Sequence, residues 1–172
     1  MVRFINESDY EQVLELFSNN IQESKEYISH GEIQMGIAID KDNLSLNFKE
    51  TWRNYLEENC SDTILVYSEF DTILGFIILS LEFDNDNSFG VIKDIVINKD
   101  KRGLGIGTLL MNEAFKVFNV VYNVDDIFLE SGKDNHSAHN FFEKFGFECV
   151  SKVFMKKMGV CSSGQRGQSA KL

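Results

Sequence analysis

Proline is absent from this 172-residue sequence, and no stretch approaches the roughly 18 consecutive apolar residues that a membrane-spanning helix needs. The N-terminal residues also lack the apolar core of a secretory signal peptide. The cysteines are Cys60, Cys149 and Cys161, an odd number at wide spacings that predicts neither a disulfide framework nor a zinc site. We therefore expect a cytoplasmic protein that holds no metal and does not cross a membrane.

Basic residues are in deficit: 17 Lys and Arg stand against 27 Asp and Glu, for a formal net charge of -10. A protein that neutralises nucleic-acid phosphates needs surplus Lys and Arg, so we expect no nucleic-acid partner. The acidic balance suits a cationic substrate. The chain length and the hydrophobic content of 43% predict one domain with its own core, over residues 1–158.

The remaining residues, 159–172, consist mainly of Gly, Ser and Gln and predict a disordered tail. The terminal Ala170-Lys171-Leu172 resembles a peroxisomal address of the Ser-Lys-Leu type. We interpret this three-residue match as chance or as an expression remnant.

The first third of the chain predicts a short strand and two helices. The strand covers residues 2–5, and Ser8 begins a helix with Glu11 completing a capping box. Its apolar face, at helical spacing, consists of Tyr10, Val13, Leu14, Phe17 and Ile21. Residues 27–42 show no period and predict a loop, and residues 43–58 predict the second helix.

The rest of the chain predicts an antiparallel meander followed by alternating helices and strands. A polar turn, Asp84 to Ser88, separates the second meander strand from the third, and Asn135 caps the last helix. The order is βα(α)βββαβαβ, which indicates an α+β or mixed α/β domain. The predicted strands cover residues 63–70, 73–83, 90–98, 126–131 and 147–158, and the long third helix follows a glycine segment.

The glycine segment, Arg102-Gly103-Leu104-Gly105-Ile106-Gly107, links the third meander strand to that helix. Its glycines permit positive φ and a close ligand approach. The free N–H groups at a helix start form an anion site, to which Arg102 adds a donor suited to phosphate. A dinucleotide fingerprint requires glycine where Thr108 stands, and a Walker A loop requires a lysine that is missing here.

Arg102 to Gly107 instead resembles the acetyl-CoA signature of the GNAT family of N-acetyltransferases. The preceding residues, 94–100, are similar to that family's fourth strand, and a second block, residues 135–147, is similar to its Asn-x-x-Ala…Phe-Tyr-Glu-Lys-x-Gly-Phe pattern. The resemblance covers roughly residues 2–158. It implies a GNAT-like acyl-CoA N-acyltransferase fold, with a central, mostly antiparallel twisted sheet flanked by helices.

The resemblance also implies where acetyl-CoA binds. Backbone groups of Ile95 and Ile97 pair with the pantetheine arm, the amides of the glycine segment hold the pyrophosphate, and Asn135 contacts the arm near the sulfur. The cofactor-binding residues implied in this way are Ile95, Val96, Ile97, Arg102, Gly103, Leu104, Gly105, Ile106, Gly107, Thr108, Asn135, Ala138, Phe141 and Phe142.

The general acid is where this sequence departs from the family pattern. A tyrosine commonly precedes the Glu-Lys of the second block, and Phe142 stands there. Three interpretations stay open: water protonates the leaving thiolate, a tyrosine from elsewhere such as Tyr122 or Tyr67 does so, or catalysis is weak or lost. A thiolate with a pKa near 8.5 leaves tolerably without an acid, which favours water.

The general base is open among three strand carboxylates. Asp94 lies on the strand that should border the acetyl group, and Glu82 and Glu130 lie on neighbouring strands. Each could accept the amine proton or hold a cationic substrate. The histidines offer less, since His30 falls in the predicted loop and His136 and His139 fall on the surface of the last helix.

The leading hypothesis is therefore an acetyl-CoA-dependent N-acetyltransferase acting on a primary amine of a small cationic metabolite or of a protein or peptide. Residues 8–58 would form one wall of its substrate site, and the acidic turn near Asp84 and Asp86 would attract cations. Two alternatives stay open: a non-catalytic acyl-CoA-binding sensor or regulatory module, and a nucleotide-binding switch. An exposed edge strand at residues 147–158 could pair two copies into a homodimer.

Overall fold

The computed structural model describes residues 1–58 and 61–157, and it has the predicted α+β architecture. A five-stranded sheet lies between two groups of helices. The strands are β1 (Val2–Phe4), β2 (Ala38–Asp40), β3 (Asn43–Leu44), β4 (Thr63–Glu69), β5 (Thr72–Asp84), β6 (Asn87–Ile97) and β7 (Ile127–Leu129). The helices are α1 (Tyr10–Glu23), α2 (His30–Gln34), α3 (Phe48–Glu58), α4 (Ile106–Lys116) and α5 (His136–Glu143).

The main sheet has the strand order β1-β4-β5-β6-β7. Its first four strands are antiparallel neighbours, and β7 runs parallel to β6. The β4–β5 turn uses Phe70 and Asp71 at positive φ, one residue earlier than the Asp71-Thr72 turn that the sequence indicated. The mostly antiparallel sheet agrees with the fold that the resemblance implied.

Apolar side chains of β5 alternate between the two faces of the sheet, as the two-residue period of a strand requires. Phe76 and Ile78 pack towards α1 and α3, and Ile77 and Leu79 pack towards α4. On the first face, the Trp52 ring stacks on Phe17 and contacts Phe76, at centroid distances of 4.2 and 5.7 Å. Both faces are buried, which explains why the β5 sequence is apolar throughout rather than alternating.

Strands β6 and β7 separate along their length. Their parallel pairing covers only Gly90 to Ile92 on β6, while β6 itself continues to Ile97. A β-bulge lies at the point of separation, because Ile78 of β5 is opposite Asp94 and Leu79 is opposite Ile92. Such a bulge bends the strand and redirects its side chains. The sheet therefore contains a gap between residues 93–97 and the chain after β7.

The structure corrects three predicted elements in the N-terminal third. A 3-10 turn (Glu7–Asp9) precedes α1, and the Asp9 carboxylate accepts the Asn6 N–H at 2.8 Å, so the cap lies two residues before the predicted Ser8. Residues 27–42 contain α2 and β2 rather than an open loop. The helix predicted over residues 43–58 begins only at Phe48, because Asn43 and Leu44 pair with β2.

The final strand predicted for residues 147–158 is wrong for the residues that the structure describes. Residues 147–157 form no strand, and Val150 and Phe154, which a sheet would bury, are exposed. The apolar pattern was correct for a strand, but no neighbouring strand pairs with it in the described chain. Met158 and the tail predicted at residues 159–172 lie outside the described residues. The predicted homodimer was to form through this strand. Because residues 147–157 form no strand, they give that dimer no support, and it stays an untested prediction.

No helix among residues 1–58 and 61–157 is long and apolar enough to cross a membrane.

Candidate active site

A cavity of about 380 Å³ lies in the gap between β6 and the chain that follows β7. The α4 start forms one side of this cavity, α5 forms another, and residues 26–32 close it from the α1 face. Most of the predicted site residues meet here although they are far apart in the sequence. Those that line it are Asp94, Ile95, Ile97, Arg102, Gly103, Gly105, Ile106, Gly107, Thr108, Glu130, Asn135, Ala138, Phe141 and Phe142.

Three predicted residues do not line the cavity. Val96 is 1% exposed and points into the core towards α1, because successive strand residues face opposite sides. Leu104 is 69% exposed at the tip of the glycine segment. Glu82 lies on β5 away from the gap, where it accepts a hydrogen bond from Ser80 and lies 3.6 Å from Lys93 Nζ.

The glycine segment bends as its composition predicts. Gly103 and Gly105 have φ values of 77° and 85°, and Gly105 precedes the first residue of α4. No heavy atom lies within 4 Å of a Cβ built at either glycine, so the face of the loop at these glycines is open. Because the first N–H groups of a helix have no partner within it, the segment presents amide donors suited to an anion. This cradle fits a pyrophosphate group.

Gly107 has a different requirement. A Cβ at this position would lie 3.1 Å from Phe141 Cζ on α5. The two sequence blocks that carried the family resemblance are therefore in direct contact, one on each side of the cavity.

The Arg102 side chain is hydrogen-bonded to residues of α1 and of the segment that follows it. Its guanidinium donates to the side chain of Asn20 and, at 3.0 Å, to the Tyr27 hydroxyl, while Nε donates to the Ile97 carbonyl at 3.3 Å. These bonds join the glycine segment to the helix on the other face of the sheet. Direct binding of phosphate by the Arg102 side chain remains a prediction.

Asn135 is buried and caps α5, as predicted. The Asn135 side-chain oxygen accepts the Ala138 N–H at 3.2 Å. The Asn135 backbone N–H donates to the Gly132 carbonyl at 3.0 Å. Since the oxygen serves the cap, the amide nitrogen is the part of the side chain left for a ligand. Phe142 is 7% exposed and contacts the Phe141 ring edge to face.

Asp94 is the one of the three candidate carboxylates that lines both the cavity and a small recess beside it. It is half-buried at the bulge, and desolvation raises its pKa well above the usual range. The carboxylate of Glu32 raises that pKa further, opposed by a hydrogen bond from the Ile95 N–H. Glu32 itself caps α2, accepting the N–H and hydroxyl of Ser29 at 2.6 Å each. The carboxyl groups of Asp94 and Glu32 thus lie close enough for the charge of one to act on the other.

Glu130 also lines the cavity, and it pairs with a histidine. Its Oε2 lies 3.1 Å from His30 Nδ1, across 100 residues of sequence. The sequence predicts a loop at His30, whereas in the structure His30 is the first residue of α2. A Cβ at Gly132 would lie 2.0 Å from the Glu26 carbonyl oxygen, so the two loops touch closely here.

The residues from the α1 face were missed by the sequence interpretation. Tyr27, Glu26, Glu32 and Ser29 all line the cavity. One signal was present: Ser29-His30-Gly31-Glu32 has the spacing of a capping box, which indicates a helix start. Nothing local indicated that Glu32 of this short helix would line the same cavity as Asp94 of β6.

Comparison with known proteins gives one family. Residues 33–147 match the model of the acetyltransferase (GNAT) family. An N-alpha-acetyltransferase of Sulfurisphaera tokodaii is 30% identical over an alignment of 86 residues, and the match covers 45% of this chain and 52% of that relative. The chain thus spans about half the length of this curated relative.

Two solved structures share the fold. The ribosomal-protein-alanine N-acetyltransferase of Brucella melitensis biovar Abortus 2308 has a TM-score of 0.66 at 11% identity, covering 92% of this chain and 98% of its own. The aminoglycoside 6'-N-acetyltransferase of Acinetobacter haemolyticus has a TM-score of 0.61 at 18% identity, covering 92% and 99%. The family match and the shared architecture agree with the geometry of the cavity, and the chain belongs to the GNAT acetyltransferase family.

Proposed function

We propose that this protein transfers the acetyl group of acetyl-CoA to a primary amine of a small cationic molecule or of a peptide. The observation that carries the proposal is the gap between β6 and β7, which opens both onto the glycine segment and onto Asp94. One cavity therefore offers amide donors for an anionic cofactor and a carboxylate for a cationic acceptor.

The cofactor would lie along the part of β6 that β7 leaves unpaired. Within residues 1–58 and 61–157, residues 95–97 pair with no strand on that side. The Ile95 N–H and the Ile97 carbonyl have side-chain partners, and the other backbone groups there can bond the amides of the pantetheine arm. The amides of residues 103–108 would hold the pyrophosphate, next to the cationic side chains of Lys101 and Arg102. Acetyl-CoA, when bound, supplies the activated thioester.

The acceptor would lie against the carboxylates. An attacking amine must lose a proton, and a carboxylate whose pKa is raised accepts a proton more readily than an ordinary one. Desolvation and Glu32 raise the pKa of Asp94, which supports Asp94 as the base. Glu32 and Glu130 carry negative charge beside it, which favours a cationic acceptor.

The named relatives include enzymes for both kinds of acceptor. The Sulfurisphaera relative is named an N-alpha-acetyltransferase, and the Acinetobacter structure is named an aminoglycoside 6'-N-acetyltransferase. The partial sequence match is to the former, so peptides with free N-termini stand first among acceptors to test.

A turnover assay tests the proposal. Thiol release from acetyl-CoA would be followed with peptides, polyamines, aminoglycosides and amino acids, and an acceptor-dependent rate is expected from one class. An Asp94→Asn variant should lower kcat by about 100-fold or more, the range for loss of a general base. Tight cofactor binding without turnover on any acceptor would contradict the proposal.

A second candidate is a non-catalytic acyl-CoA-binding module. It is favoured by Phe142, which occupies the position of the family's proton-donating tyrosine and is buried without a hydroxyl. Calorimetry with acetyl-CoA followed by the turnover assay separates the two candidates, because only the enzyme consumes the thioester. Stabilisation by ATP but not by acetyl-CoA would instead support the nucleotide-binding switch.

A further inference from the structure

The chain has five tyrosines whose hydroxyls could give a proton to the leaving thiolate, and the structure describes all five. Tyr10, the first residue of α1, is partly buried against the core. The hydroxyls of Tyr55 and Tyr67 bond Asp62 and Glu69, and that of Tyr122 donates to Thr63 Oγ1 at 2.8 Å. None of these four lines the cavity within the described chain.

Tyr27 is the tyrosine that does line the cavity, and its hydroxyl is distinctively bonded. The oxygen accepts a hydrogen bond from Arg102 at 3.0 Å, and the guanidinium carbon lies 5.7 Å from the ring centroid. Within residues 1–58 and 61–157, this hydroxyl accepts a hydrogen bond but donates none. Its proton is therefore available to a group in the cavity.

The position of Tyr27 relative to the bulge of β6 supports this use. Tyr27, Glu32 and Asp94 together line a small recess that adjoins the cavity. If Asp94 takes the proton from the amine, the reacting thioester must lie beside this recess. The Tyr27 hydroxyl then approaches the thioester from the α1 face, opposite Phe142 on α5.

We propose that Tyr27 is the general acid of the acetyl transfer and supplies the proton that Phe142 cannot. This rests on the proposed function. As the amine nitrogen forms its bond to the acetyl carbon, the carbon–sulfur bond breaks and its electron pair stays on sulfur. Tyr27 gives its proton to that sulfur, Asp94 holds the proton lost by the amine, and exchange with water restores both groups.

The surroundings of the hydroxyl suit such a role. Burial raises the pKa of Tyr27 above its usual range, and the positive charge of Arg102 acts in the opposite direction, which leaves the hydroxyl a better proton donor than burial alone would. Arg102 donates to the oxygen already, and this bond strengthens as negative charge forms there.

The test compares Tyr27→Phe with Tyr67→Phe, a matched removal of a hydroxyl from a half-buried tyrosine of β4 that does not line the cavity. We expect Tyr27→Phe to lower kcat by about 100-fold or more, the usual size of general-acid catalysis, with the KM for acetyl-CoA unchanged. Tyr67→Phe should stay within twofold of the wild type. Thermal unfolding checks that both variants fold.

A binding measurement tests the contact with sulfur independently of turnover. Calorimetry with CoA and with desulfo-CoA, which lacks the sulfur atom, measures what the thiol adds to affinity. The wild type and Tyr67→Phe should prefer CoA severalfold, and Tyr27→Phe should bind both alike. Unchanged kcat in Tyr27→Phe, or a loss confined to KM, would overturn the assignment, as would an undiminished preference for CoA. A wild type that binds CoA but acetylates no amine would instead refute the proposed function itself.

Discussion

Gly107 and Phe141 are in contact in the wall of the cavity: a Cβ on Gly107 would lie 3.1 Å from Phe141 Cζ. The first residue belongs to the glycine segment at the α4 start, and the second belongs to α5. Glycine at position 107 thus allows close packing between two helices, whereas Gly103 and Gly105 are favoured because of their positive φ.

Gly107→Val should displace the Phe141 ring and with it the wall of the cofactor cavity. Overpacking of this kind costs about 1–3 kcal/mol, so the midpoint of thermal unfolding should fall by several degrees and the affinity for acetyl-CoA should weaken. Asn112→Val introduces the same side chain on an exposed position of α4 and controls for helix propensity. Equal effects of the two substitutions would mean that the Phe141 contact is unimportant.

Gly132→Ala should be more damaging than an ordinary glycine substitution. The new Cβ would lie 2.0 Å from the Glu26 carbonyl oxygen, and neither backbone can move without opening the contact between the two loops. We expect a stability loss of at least about 1–3 kcal/mol and a raised KM for the amine. The measurement is chemical unfolding together with steady-state kinetics.

Gly31→Ala is the matched control for that substitution. Its Cβ would meet only Ser29 Oγ, at an ordinary 3.6 Å, and alanine favours helix by up to about 1 kcal/mol. Gly31→Ala should therefore leave stability unchanged or raise it. A comparable loss in both variants would contradict the close contact at Gly132.

Asp94→Asn should make the protein more stable at neutral pH while lowering its activity. The native pKa of Asp94 is raised, so native Asp94 contributes its full stability below the unfolded-state pKa, near 3.9. That contribution is lost as pH rises towards the native pKa. The stability of wild type and variant, measured by denaturant titration, should therefore agree near pH 3 and diverge above about pH 4, with the variant the more stable.

The divergence should reach about 1.4 kcal/mol for each tenfold change that folding makes in the acid dissociation constant of Asp94. Parallel stability curves for the two proteins between pH 3 and pH 8 would show that Asp94 is not desolvated. That result would also weaken the assignment of Asp94 as the general base.

Glu130→Gln should affect acceptor binding more than stability. The His30–Glu130 pair is partly exposed, and such pairs contribute about 0–1 kcal/mol. The KM for the amine should rise by severalfold, because Glu130 lines the cavity, while the KM for acetyl-CoA stays unchanged. Glu82→Gln, on the strand beyond the gap, should change neither constant. An equal change in the KM for the amine in both variants would show that Glu130 does not contribute specifically to acceptor binding.

Much of the fold followed from local patterns. The apolar spacing of α1, the β4–β5–β6 meander and the Asn135 cap were all predicted within a few residues. The final strand was not, because a strand exists only where a neighbour pairs with it, and an alternating sequence cannot supply that neighbour. Similarly, the Ser8–Glu11 box was a valid local pattern, but Asp9 bonded Asn6 and Arg3 instead.

By itself, the sequence determined the glycine turn, the helix that follows it and the second block at residues 135–147, because φ preferences and helix caps act over a few residues. Only the tertiary structure decided which carboxylates face the cavity. At the level of the sequence, Glu82, Asp94 and Glu130 are equivalent as predicted strand carboxylates. In the structure, Glu130 follows the end of β7, and the separation of β6 from β7 leaves Asp94 and Glu130 lining the gap. Tyr27 enters the site from 75 residues before Arg102, a distance that no local rule spans.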